Sequence, residues 1–149
     1  MGYRSQVKIV VSKEGFRELR EYVERESVKV KIIKPDSYYS YNLLERADSI
    51  RTDGDQFLIS WDDIKWYEGA YDDVDIIMHG LEHLDSKGYS YRFYRVGESY
   101  EDIEETCVDG DLDQDLDYLY VVRYIDDDCI GGKTISYEEL DNSNLEGGE

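Results

Sequence analysis

Apolar positions cluster in "RSQVKIVVS" (residues 4–12) and then change period in "KEGFRELREYVERE" (13–26). The first stretch predicts a strand ending on Ser12, a good helix N-cap. In the second, Phe16, Leu19 and Val23 share one face while Arg17, Glu21 and Arg25 share the other, the pattern of an amphipathic helix laced with charge pairs. "VKVKIIK" (28–34) alternates Val28, Val30 and Ile32 with Lys29 and Lys31, which predicts a half-buried strand halted by Pro35, the single proline. "DSYYSY" (36–41) reads as loop, and "NLLERADSI" (42–50) as a short helix capped by Asn42 with Glu45 at the third position. "DGDQFLISWDDIKWY" (53–67) predicts a turn and then a strand on which Phe57, Ile59 and Trp61 alternate.

A second helix is predicted over "DDVDIIMHGLEHLDSKG" (72–88), with Asp72 as cap, Val74, Ile77, Met78 and Leu81 as its apolar stripe, and Gly88 as its stop. "YSYRFYRVG" (89–97) is a strand with tyrosines on both faces. "EDIEETCV" (101–108) and "DYLYVVRYI" (117–125) read as two strands joined by an acidic loop, 109–117. The order of elements implies an α+β fold: a mostly antiparallel sheet of about five strands with two main helices on one face. Residues 1–130 form a single domain in this reading, and 131–149, rich in Gly, Asn, Ser and Glu, a flexible acidic tail.

Charge changes the picture. The chain of 149 residues carries a formal net charge of −19. Residues 1–52 hold 11 Lys+Arg against 8 Asp+Glu, a net of +3, and residues 53–149 hold 6 against 28, a net of −22. Such a surface repels nucleic acid phosphates and anionic lipid and favours basic partners. Two cysteines without a C-x-x-C suit a reducing cytosol, and no apolar run approaches the roughly 20 residues of a membrane span. A charged-then-apolar leader is also missing from the start, so a cytoplasmic location is expected.

Three motifs suggest chemistry, and each has a plainer reading. His79-Gly80-Leu81-Glu82-His83 matches the H-x-x-E-H spelling of inverted zinc peptidases, in which two histidines one helical turn apart share a metal. Here both rings project away from Val74, Ile77, Met78 and Leu81, towards solvent, little chain remains for a third ligand, and Gly80 weakens the helix. "DGDLDQDLD" (109–117) resembles a calcium loop, yet numbering from Asp109 puts Gln114 at the sharp turn and Tyr120 at the bidentate ligand. Numbering from Asp111 puts Leu116 and Val122 there. "GGKT" (131–134) lacks the glycine a phosphate loop needs at 127, where Asp127 stands between Asp126 and Asp128. Ser99 in "GESYE" lacks the second glycine of a nucleophile elbow, and neither cysteine has a base in a recognisable setting. No catalytic residue, metal or cofactor is therefore expected.

What remains is an acidic, tyrosine-studded surface. Residues 98–149 hold 18 acids against Arg123 and Lys133, a net of −16. Asp102, Glu104, Glu105, Asp109, Asp111, Asp113, Asp115, Asp117, Asp126, Asp127 and Asp128 lie on or between the last two predicted strands, with Tyr118 and Tyr120 as aromatic anchors of the kind enriched at interfaces. Carboxylates repeated along a hairpin crudely reproduce the charge spacing of a nucleic acid backbone. The plainer alternative is a solvated loop.

"MGYRSQV" (1–7), "SWDDIKWYEGAYDDV" (60–74) and "YRVGESYEDIEE" (94–105) together resemble a group of small bacteriophage-encoded proteins. These share an MGYRS start, a tryptophan-rich KWY segment and an R-x-G-E-x-x-x-D-I-E stretch. The likeness covers much of residues 1–125 and carries no catalytic residue. It implies a phage origin and a role in host takeover or against host defences. The expectation is a non-enzymatic inhibitor that acts in the host cytoplasm. Its acidic face would occupy the basic groove of a nucleic-acid-binding defence protein, of the anti-CRISPR or anti-restriction type, with no direct binding to nucleic acid or membrane. The alternative is a nucleotide or signal-molecule binding module, or small enzyme, with a tyrosine-lined pocket near Trp61 and Trp66.

Overall fold

A computed structural model describes residues 2–36, 38–113, 116–121 and 124–140. The fold is α+β. Strand β1 (Ser5–Ser12) runs into helix α1 (Lys13–Ile33), and the Ser12 hydroxyl accepts from the Gly15 amide as an N-cap. A 3-10 turn (Leu43–Arg46) leads to the hairpin β2 (Ser49–Asp53) and β3 (Gln56–Ile64). Helix α2 (Asp72–Lys87) ends on Gly88, which takes the left-handed conformation at φ 93°. β4 (Tyr91–Val96) and β5 (Ile103–Val108) form a second hairpin. β6 (Tyr120–Val121) pairs with β7 (Ile125–Asp126) in a separate two-stranded sheet, and β8 (Lys133–Ile135) joins the edge of the main sheet.

The main sheet is six-stranded in the order β5-β4-β1-β3-β2-β8, and every neighbouring pair is antiparallel. Alternation along β1 divides its residues between two cores. Val7, Ile9 and Val11 join Phe57, Ile59, Trp61 and Phe93 beneath both helices, where Phe16, Leu19 and Val23 of α1 and Val74, Ile77, Leu81 and Leu84 of α2 meet them. Val10 faces the other way and packs with Leu58, Tyr94, Val96, Leu116, Leu119, Ile125 and Ile130. The second core is thus roofed by the chain between β5 and β8.

Several expectations need correction. Residues 28–33 belong to α1, not to a strand: the Lys34 amide bonds the Val30 carbonyl, and Lys29 reaches Glu26 one turn back. Val28, Ile32 and Ile33 are exposed, because no strand neighbour is there to cover them. Of the helix expected over 42–50, only the 3-10 turn Leu43–Arg46 forms, and Ser49 and Ile50 belong to β2. The N-cap of α2 is Tyr71, one residue before Asp72, and its side chain makes no capping bond. The segments 101–108 and 117–125 do not form a hairpin with each other, since β5 pairs with β4 and β6 with β7. Residues 131–140, expected to belong to the tail, are part of the fold. Gly132, at φ 58°, brings the chain against the Thr52 backbone so that β8 can pair with β2, and Leu140 is buried in the helix-side core. Residues 141–149 lie outside the described residues.

Candidate functional site

The described residues of the acidic segment 109–130 lie across the sheet face opposite the helices, and the sheet beneath them carries cations. Lys8, Arg51 and Arg92 project from β1, β2 and β4 on that face, and Arg92 is completely buried. A buried cation without a partner is costly. Arg92 donates to the Asp109 carboxylate at 2.7 Å and to the carbonyls of Val108 and Leu116 at 3.0 and 3.2 Å, with the Tyr118 ring 4.3 Å from its guanidinium carbon. Lys8 Nζ lies 3.0 Å from Asp127, which Arg51 also reaches, and donates to Ser60 Oγ at 2.9 Å. Burial raises the Asp127 carboxyl, but the bonds from Lys8 and Arg51 outweigh it and hold the group below the ordinary carboxylate range.

Two further acids anchor the same segment without a cation. Asp113 accepts from Ser12 Oγ at 2.7 Å and from the Ser90 amide at 3.0 Å, so the residue that caps α1 also holds the strap. Asp117 accepts from Gln56 Nε2 at 2.9 Å while its amide donates to Gln56 Oε1 at 2.7 Å. At the other end of the sheet, Arg95 binds Asp102 and Glu104, and Tyr3 Oη donates to Asp102 at 2.6 Å. Those bonds from Arg95 and Tyr3 hold the Asp102 carboxyl below its usual value. Burial pushes the Tyr94 hydroxyl up, and it stays a neutral acceptor for the Leu119 amide at 3.0 Å.

The acids singled out from the sequence therefore divide. Asp102, Glu104, Asp109, Asp113, Asp117 and Asp127 have internal partners. Glu105, Asp111 and Asp128 are exposed and, among the described residues, form no ion pair. Asp126 is half-buried and accepts the Asp128 amide. Asp115 lies outside the described residues. Glu101, which motif reading passed over, joins the unpaired group at the turn before β5. Tyr118 is a lid on Arg92, whereas Tyr120 and Tyr124 are 69% and 59% exposed.

The other motifs have structural explanations. His79 is exposed, but His83 is half-buried, against expectation: its ring stacks on Tyr22 of α1 at 5.1 Å and its Nε2 is 3.3 Å from Glu18. Gly80 is the contact point of the two helices, where a Cβ would stand 2.6 Å from Leu19 Cδ1. Among the described residues, no group of three or more His, Cys, Asp or Glu side chains is placed to hold a metal ion. Among them too, no helix is long and apolar enough to cross a membrane.

Trp61 and Trp66 pack with their rings tilted by 49° and 5.4 Å apart inside the core, and Trp61 Nε1 donates to the Leu43 carbonyl at 3.1 Å. Neither tryptophan lines the tyrosine-rich cleft. The tyrosine-lined cleft lies further along, between the 39–41 loop, the end of β3 and the start of α2. It encloses about 690 Å³, and its lining includes Arg4, Tyr39, Tyr41, Arg46, Lys65 and Tyr71. The sequence signal for it was weak, since these residues come from five separate segments. No known protein family, curated protein or solved structure matches the chain.

Proposed function

We propose that this protein is a non-enzymatic inhibitor. Its acidic strap face occupies the basic, nucleic-acid-binding groove of another protein, and the resemblance to phage proteins makes a host defence factor the natural target. The observation that carries this reading is the division of the carboxylates. The strap is already held by Asp109, Asp113, Asp117 and Asp127, so folding does not require Glu101, Glu105, Asp111 or Asp128. These four remain exposed, as do Tyr120 and Tyr124, and charge together with aromatic surface suits a basic partner. Glu105 is also on the outer strand of the sheet, where a carboxylate deters edge-to-edge pairing between copies.

The test is a fourfold reversal, Glu101→Lys, Glu105→Lys, Asp111→Lys and Asp128→Lys. Immobilised wild-type protein should retain a nucleic-acid-binding protein from bacterial lysate and release it as ionic strength rises through the range where screening becomes strong, about 0.1 to 1 M. The variant should melt as the wild type does and retain none. Retention unchanged by the reversal would end the proposal.

A further inference from the structure

We infer that the cleft between the 39–41 loop, the end of β3 and the start of α2 is a binding site for a nucleoside monophosphate. This inference stands apart from the acidic face: it uses another part of the molecule and an opposite charge.

Size is the first requirement, and about 690 Å³ falls within the range of small-ligand sites. Charge is the second. In a chain of net charge −19, cations should find carboxylates easily, and around this cleft two do: Lys34 pairs with Asp72 and Arg46 with Asp73, each at 2.6 Å. Arg4 and Lys65 do not. Among the described residues neither forms an ion pair, and the Arg4 guanidinium donates only to the Asp63 carbonyl, at 3.2 Å. The lining holds Arg4, Arg46 and Lys65 with Asp63, Asp72 and Asp73; Arg46 takes Asp73 and Lys34, outside the lining, takes Asp72, so Arg4 and Lys65 are left with Asp63 at the rim. Two uncompensated cations amid such an excess of acid are what a phosphate monoester would complete.

The third requirement is a surface for the base. Tyr39, Tyr41 and Tyr71 line the same cleft. The Tyr71 ring is backed by Tyr67 at 5.1 Å and remains 38% exposed, while Tyr39 is 65% exposed with the Arg46 guanidinium 5.8 Å from its centroid. Rings held from one side and open on the other stack a planar base with little ordering cost. A site with cations alone would suit inorganic phosphate, and rings alone would suit a nucleoside. The pairing of the two selects the phosphorylated nucleoside.

Calorimetric titration of the full chain with AMP tests this, with adenosine and inorganic phosphate as partial ligands. AMP should bind at least about tenfold tighter than either part, since each charge-assisted contact is worth roughly a factor of ten. The double variant Arg4→Gln/Lys65→Gln should weaken AMP about tenfold or more at an unchanged melting temperature. Tyr71→Ala, which alters no ion pair, should weaken AMP and adenosine alike. The inference fails if none of AMP, GMP, CMP and UMP binds, if adenosine binds as tightly as AMP, or if neither variant changes AMP affinity. The fourfold reversal on the acidic face should leave AMP binding intact, so each proposal can fail without the other.

Discussion

Asp127 and Asp111 have the same side chain, yet they do different things. Asp127 lies between Lys8 and Arg51 on a buried sheet face, and Asp111 is exposed with no ion pair among the described residues. Removing one partner of a buried charge cluster leaves the others uncompensated, so Asp127→Asn should cost about 3 kcal/mol in urea unfolding. Asp111→Lys should stay within about 0.5 kcal/mol. The pH dependence follows from the same carboxyls. Asp127 and Asp102 titrate below the ordinary range in the folded protein, while unfolded aspartate titrates near 3.9. As pH falls below about 4, the unfolded chain takes up protons that the native state refuses, and stability is lost down through the lowered values. Asp73, whose carboxyl burial raises despite Arg46, contributes in the opposite sense. Thermal melts between about pH 2 and 6 should therefore show a steep acid limb in the wild type and a shallower one in Asp127→Asn. Which acids are anchors was not legible in the sequence. The partners of Asp127 and Asp113 lie across the chain, at Lys8 and Ser12, and no local pattern records them.

At the scale of elements, local period predicted most of the secondary structure. Ser12 closes β1 and caps α1, and Gly88 ends α2, because those signals reside within a few residues of the boundary they set. "VKVKIIK" misled because seven residues fit either period, and Val28, Ile32 and Ile33 are left exposed on the last turns of a long helix while Val30 packs on the core. The reading of Gly80 as a weak point was also local. Between helices it is the residue that lets α2 approach Leu19 and Tyr22. Gly80→Val should destabilise the protein by about 1–3 kcal/mol through overpacking against buried Leu19, despite removing a flexible glycine. Equilibrium denaturation of that variant beside the wild type measures it.

For the whole molecule, the α+β class and the two helices on one face were legible from the alternation of strands and helices. The second core was not. The segment 109–117 read as the loop of a hairpin, because its acids outnumber its apolar residues. Leu116, Leu119, Ile125 and Ile130 are nevertheless enough to roof Val10, Leu58 and Tyr94 once the acids neutralise Lys8, Arg51 and Arg92. The charge of −19 is therefore partly an internal device, and the share left over, at Glu101, Glu105, Asp111 and Asp128, is what a basic partner would meet. The most direct measurement is competition on the captured complex. Duplex or single-stranded nucleic acid, added at fixed ionic strength, should displace the partner from the wild-type protein, and the fourfold lysine variant should capture no partner at all. A partner that stays bound to both proteins while it carries nucleic acid would contradict the account.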